Sequence, residues 1–168
     1  AHNIIGIDGV TQPPSRPLLG QPLDNWMTNE VYDYAWGYED FGQSSPALNN
    51  VIYQRGIYFA KPDYFILTDN VAGQGNHLIR TKLQMAWDVN AVIQGTKVVG
   101  QSAKGPSIEI EFGSNRTPPT IITGQTSPFW DGWMVKYPHT AMLLPAPSVV
   151  FEENRVLPTS DVVVLYPL

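Results

Sequence analysis

The chain has 168 residues, of which 43% are apolar and only 15% charged, with 14 Gly and 15 Pro. That length fits one domain able to fold without staples. The apolar content excludes a disordered tail, and the prolines argue against long helices, since each interior Pro costs about 3 kcal/mol. With a net charge of −5, a pI near 5.0 and ten Lys plus Arg, there is no basic stripe of the kind that binds nucleic acid. Any hold on an acidic polymer has to be local and salt-sensitive. The absence of cysteine excludes disulfides and thiolate zinc sites, and no apolar run approaches the roughly 18 residues of a spanning helix.

In chain order, the opening Ala1-His2-Asn3-Ile4-Ile5 carries neither initiator Met nor signal-peptide pattern and reads as the middle of a strand, as in a trimmed or processed chain. Asp8-Gly9 marks the first turn. Residues 10 to 50 are broken by Pro13, Pro14, Pro17, Pro22 and Pro46 and enriched in aromatics. They read as long loops with at most one helical turn near Asn25 to Tyr38. Tyr32, Tyr34, Trp36 and Tyr38 share one parity, which in a strand makes a single aromatic face. Ile57 to Asp69 carries two strands around a Lys61-Pro62-Asp63 turn.

After the Gly73-Gln74-Gly75 turn, Ile79, Thr81, Leu83 and Met85 alternate with Arg80, Lys82 and Gln84, a half-buried strand with one wet face. Gln94-Gly95 and Lys104-Gly105-Pro106 are further turns. Ile108, Ile110 and Phe112 alternate with Glu109 and Glu111, which read as a solvated edge. Asp131-Gly132 is a turn, and Val162 to Tyr166 is a β-branched run expected to be buried on both sides. Short strands between such turns predict an all-β fold. The expected architecture is an antiparallel β-sandwich of two packed sheets with little or no helix, a single domain over residues 1–168.

Four stretches carry a resemblance to a known family. They are His2-Asn3-Ile4-Ile5-Gly6-Ile7-Asp8-Gly9 with Gln12; Arg55-Gly56-Ile57-Tyr58-Phe59-Ala60-Lys61-Pro62-Asp63-Tyr64-Phe65-Ile66-Leu67-Thr68-Asp69; Gly73 to His77; and the run from Gly124 to Pro167, with Pro128, Gly132-Trp133, Pro145-Ala146-Pro147, Leu157-Pro158 and Leu165-Tyr166-Pro167. In order and spacing they resemble the C-terminal domain of heparinase II/III-like polysaccharide lyases. The sequence departs from that pattern at Ile4, at Tyr53-Gln54 and at Leu83-Gln84-Met85.

The resemblance implies a parent enzyme, secreted or periplasmic and bacterial, that cleaves uronic-acid polysaccharides such as alginate or glycosaminoglycans by β-elimination. It implies an α/α toroid upstream that holds the catalytic groups, so that no catalytic residue lies within this chain and the chain alone is inactive. It also implies a zinc ion in the parent with three protein ligands, one of them matching His2. A closed zinc site takes about four ligands, so the isolated chain is expected to bind none.

A sugar ring stacks on Trp or Tyr through its apolar face, so Trp36, Tyr38, Trp130 and Trp133 either form such a platform or pack in the core. Arg55, Arg80, Arg116 and Lys136, with His139 beside Tyr137, are the candidate partners for an anionic sugar, Arg being suited to bidentate contact. His77 reads as structural. Two other readings stand beside the lyase domain: a stand-alone carbohydrate-binding module for acidic polysaccharide without catalytic activity, and a sandwich that only packs on a helical partner.

Overall fold

A computed structural model describes residues 3–11, 25–113, 116–136 and 142–168. The strands in chain order are β1 (Ile5–Ile7), β2 (Val10–Thr11), β3 (Trp26–Thr28), β4 (Tyr32–Asp40), β5 (Ile52–Ala60), β6 (Tyr64–Ala72), β7 (Asn76–Gln84), β8 (Val89–Gln94), β9 (Lys97–Ser102), β10 (Ile108–Phe112), β11 (Thr120–Ile122), β12 (Trp133–Val135), β13 (Leu143–Pro145), β14 (Ser148–Val156) and β15 (Thr159–Pro167). Five form one sheet in the order β11-β14-β7-β1-β2. Eight form a second in the order β3-β4-β5-β6-β15-β10-β9-β8, and β12 and β13 make a separate hairpin. The paired neighbours are antiparallel, so the fold is the expected β-sandwich.

Where a helical turn is expected near Asn25 to Tyr38, the chain instead forms β3 and β4. Two short 3-10 turns follow at Phe41–Gln43 and Pro46–Leu48. The alternation of Tyr32, Tyr34, Trp36 and Tyr38 is the reason: period two satisfies a strand and scatters the rings around a helix. In register with β5, these rings share the outer face of the larger sheet, where Tyr32 stacks on Tyr58 at 5.2 Å.

Two further expectations change. Val162 is 51% exposed while Val163 is buried, because β15 has only one covered face. Arg80, Lys82 and Gln84, expected to be wet, are half-buried, because residues of a later loop lie over them.

The facing surfaces of the sheets hold two apolar clusters. One gathers Ile5, Ile7, Phe41, Val51, Tyr53, Val71 and Ile79; the other gathers Leu67, Leu83, Val98, Ile110, Phe112, Phe151 and Val163. Between them runs a belt of polar groups. Arg55, Asp69 and Asp161 are directly opposite one another on β5, β6 and β15. Arg55 donates to both carboxylate oxygens of Asp69, at 2.7 and 2.8 Å, and the Tyr53 hydroxyl donates to the same carboxylate at 2.7 Å. Asp161 faces Arg155 at 2.8 Å and Arg116 at 3.3 Å, and Arg155 also holds Glu153 at 2.8 Å.

Burial shifts these groups as it must. It pushes the Tyr53 phenol far up, and the negative charge of Asp69 adds to the rise. It raises the Asp161 carboxyl against the opposing pull of Arg116 and Arg155, and lowers the Arg116 guanidinium despite Asp161 and Glu153.

Removing one member of a buried pair strands the other, which typically costs about 3–5 kcal/mol. Asp69→Ala is therefore expected to lower unfolding free energy by about that amount in urea titration, and Tyr53→Phe by far less.

His77 ties two turns together. Its Nδ1 meets the Asp8 carboxylate at 2.7 Å and its Nε2 meets the Gln74 carbonyl at 2.9 Å. Two acceptors call for two ring protons, and these bonds, that to Asp8 first, raise the imidazole above its ordinary 6.5. The Asp8 carboxyl is pushed up by burial, but the bonds from His77 and the Leu78 amide outweigh that and hold it below 3.8. The stabilisation from His77 is thus complete below pH 6.5 and lost as pH rises through its folded-state value, while that from Asp8 is lost as pH falls through its own. The difference in thermal midpoint between the natural chain and His77→Gln is expected to shrink as pH rises past 6.5; a difference that grows with pH contradicts the protonated bridge.

Candidate carbohydrate-binding surface

The segment after β11 turns back at once. Gly124 and Gly132 have φ of +65° and +70°, and the loop between them closes through paired backbone bonds between Gln125 and Asp131 at 2.9 and 3.0 Å. Gln125 Nε2 donates to the Phe129 carbonyl at 3.2 Å, and the Trp133 indole N–H donates to the Gln125 carbonyl at 2.8 Å. This tight loop lifts Phe129 and Trp130 into solvent, 48% and 65% exposed, with the Trp130 ring 5.2 Å from that of Trp133.

Asp131 fastens the loop to the outer face of the five-stranded sheet. Its carboxylate, only 6% exposed, accepts from Arg80 at 2.8 Å and from the Lys82 ammonium, with the Ser148 hydroxyl at 3.4 Å. Burial pushes its pKa up, but the Lys82 bond, the Gly132 amide and the charges of Lys82 and Arg80 prevail and hold it below the usual value. The Arg80 guanidinium in turn lies 5.0 Å from the Phe129 ring centroid, within cation–π range.

The hairpin β12–β13 continues this surface. Lys136, just past β12, has its backbone N–H on the Met142 carbonyl and its ammonium 4.3 Å from the Trp87 ring centroid. Lys104 approaches the same indole at 5.8 Å. Ser102 fixes the Lys104 turn by accepting the amides of Lys104 and Gly105 at 3.1 and 2.8 Å, while its hydroxyl donates to Asp88 at 3.0 Å.

The structure thus distributes the sequence-derived sugar-binding residues over several places. Trp130, Trp133 and Lys136 lie on the Gly124–Gly132 loop and the hairpin that follows it. Trp36 and Tyr38 lie on the outer face of the other sheet. Arg55 and Arg116 point between the sheets: Arg55 is committed to Asp69, and Arg116 stacks its guanidinium 4.3 Å from the Phe151 ring. These two head groups lie inside the sandwich rather than on either outer face. His139 and His2 lie outside the described residues. Among those residues no three His, Asp or Glu side chains converge as metal ligands.

Trp87 and Lys104 are absent from the sequence-derived set, although a signal existed. Counting back in equal steps from the Gln94-Gly95 turn reaches Val89 opposite Ser102, and two steps further come Trp87 and Lys104. The sandwich also has an open mouth, a cavity of about 600 Å³ lined mainly by apolar side chains of both sheets, among them Leu67, Leu83 and Ile108, with Asn3, Arg55 and Gln84 at its polar side. There Ile57 remains 42% exposed although it points inward.

No family model and no curated protein matches the sequence. Solved structures do. A heparan sulfate lyase, HepC from Pedobacter heparinus, superposes with a TM-score of 0.71 at 20% identity over 99% of this chain. A heparinase III gene product superposes at 0.70 and 13% identity over 99%, and a further heparinase III at 0.59 and 12% over 85%. At these identities the likeness is one of fold, and the class it defines is an antiparallel all-β sandwich. The chain spans about a quarter of the length of those structures, 24% of HepC.

A Cβ on Gly132 would stand 2.5 Å from the Ile122 carbonyl oxygen and 2.7 Å from the Thr123 Cα, both backbone, at a φ that costs an L-residue roughly 1–2 kcal/mol by itself. Gly132→Ala is therefore expected to destabilise by more than about 2 kcal/mol and to abolish the near-ultraviolet circular dichroism of the Trp130–Trp133 pair. Gly95→Ala, with open space around its Cβ, is expected to leave that signal intact.

Proposed function

We propose that this chain is the β-sandwich part of a polysaccharide lyase that cleaves uronic-acid-containing polysaccharide by β-elimination, and that the sandwich forms one wall of the substrate cleft. The observation that carries this reading is the fold likeness to a heparan sulfate lyase and a heparinase III over 99% of the chain. The exposed aromatic loop, braced by the bonds of Asp131 to Arg80 and Lys82, supports it with rings on which a sugar can stack.

Elimination from a uronate needs three functions. The carboxylate is neutralised so that the neighbouring C–H becomes acidic, a base removes that proton, and an acid protonates the departing glycosidic oxygen. This chain contributes binding: Trp130 stacks on a sugar ring, Trp133 backs it, and Asp131 holds both in place. Base and acid belong to the remainder of a longer enzyme, an upstream helical toroid. An enzyme that meets such polymers works outside the cytoplasm, secreted or periplasmic. Among the described residues no helix is long and apolar enough to cross a membrane.

Calorimetry of the 168-residue chain with heparan sulfate, alginate and a neutral glucan tests the reading. Acidic polymers are expected to bind, less tightly as salt rises, with Trp130→Ala weakening them on the order of tenfold. No ultraviolet absorbance from an unsaturated uronate product is expected from this chain alone. Equal binding of the neutral glucan, or no binding of any acidic polymer, overturns the proposal.

A further inference from the structure

We propose that the outer face of the eight-stranded sheet holds a second site, built from Trp36, Tyr38, Gln54 and Asn70, which binds a short uncharged oligosaccharide. The register brings these side chains together. Tyr38, Gln54, Asn70 and Ser160 form one cross-strand row over β4, β5, β6 and β15, and Trp36, Gly56, Thr68 and Val162 form the next. Directly opposite residues share a face, and Trp36 lies two positions from Tyr38 on β4, so it shares that face too. Neighbouring strands are about 4.8 Å apart, so the first row spans about 14 Å. That length suits several linked rings rather than one.

Each part of a neutral sugar has a counterpart here. The apolar face of the ring stacks on an indole or a phenol, and Tyr38 is half exposed beside Trp36. Sugar hydroxyls donate and accept, as side-chain amides and hydroxyls do. The Gln54 amide bonds to no other side chain or backbone group among the described residues. Asn70 uses only its carbonyl oxygen, which accepts from the Ser160 hydroxyl at 2.8 Å, so its amide N–H groups face outward without a protein acceptor. The Thr68 and Tyr34 hydroxyls meet over Gly56, where a Cβ would stand 2.6 and 3.0 Å from them. A glycine inside a strand leaves room for that close approach.

Charge decides the class of sugar. The outward side chains from Tyr32 to Tyr38, Gln54 to Ala60 and Tyr64 to Asn70 carry none. Asp40, at the end of β4, is taken up in capping Gly42 at 2.9 Å, and Lys97 across the sheet pairs with Glu109 at 2.7 Å. No cation stands among the rings to hold a carboxylate or sulfate. Covering the face with an apolar protein surface would strand the Gln54 and Asn70 amides, whereas sugar hydroxyls satisfy them. This site lies on the other sheet from the Asp131 loop and does not depend on the acidic polymer proposed for that loop.

The test titrates the 168-residue chain with cellohexaose, mannohexaose and chitohexaose, and with a heparan sulfate oligosaccharide for comparison. The readouts are affinity by calorimetry and the Trp36 indole N–H resonance, assigned with Trp36→Phe. At least one neutral hexasaccharide is expected to shift that resonance, binding less tightly than the acidic oligosaccharide and equally at low and high salt, because no charge takes part. Gln54→Leu and Tyr38→Ala, both surface changes, are each expected to weaken it on the order of tenfold.

If no neutral hexasaccharide moves the Trp36 resonance, or if one does and both substitutions leave its affinity intact, the site is overturned. It also falls if the resonance moves with protein concentration alone and light scattering finds a dimer, since the face is then a contact between copies. If neutral sugar binds in a Gln54-dependent way while acidic polymers do not bind, this site stands and the acidic-polymer reading falls.

Discussion

Arg55, Asp69 and Asp161 occupy one cross-strand row of the eight-stranded sheet and point inward, so charge is placed in the middle of the sandwich. Two carboxylates side by side on neighbouring strands repel, and burial raises the cost of each. The fold answers by surrounding them. Arg55 and Tyr53 take Asp69 from one side, and Arg116 and Arg155 take Asp161 from the other. The apolar clusters on either side of the belt depend on that arrangement, because β5, β6 and β15 each pass through both the belt and the core. A register slip would turn the charged row to solvent and every apolar partner with it, so the belt specifies register as well as linking the sheets.

On the outer face of the five-stranded sheet a single carboxylate has a comparable part. Asp131 joins a loop to β7 through Arg80 and Lys82, and beside it Gly132 runs so close to Ile122 that no side chain fits. Exposing a Trp and a Phe at a loop tip is unfavourable in water. The bonds through Asp131, Gln125 and Trp133 stabilise the loop that keeps them there. Held rigidly, the displayed rings have little ordering left to do when something stacks on them.

The two outer faces differ in chemistry. The five-stranded sheet carries the loop, Arg80 and Lys82, and the hairpin beside it leads to the Trp87 cluster. The eight-stranded sheet shows a row of tyrosines with Trp36, and Lys97 there pairs with Glu109 at 2.7 Å.

Much of the fold was legible in the residues alone. Alternation at Ile79 to Met85 and at Ile108 to Phe112, the shared parity of Tyr32 to Tyr38, and turns at Gly73-Gln74-Gly75 and Gln94-Gly95 are local properties, and each became a strand or a turn. Pro128 and Asp131-Gly132, which flank the displayed Trp130, are local turn signals as well. What the alternation left undecided was which polar set would be covered and which apolar run would keep a wet face: Arg80 and Lys82 disappeared beneath Asp131, 51 and 49 residues away, while Val162 came out into solvent. Arg55 and Arg116 resemble sugar-binding arginines in the sequence, but the sheet order turned them inward onto Asp69 and Asp161. Period two assigns side chains to faces, whereas the cover over each face comes from segments distant along the chain. Strand order and loop closure decide that cover, and only the assembled sandwich displays them.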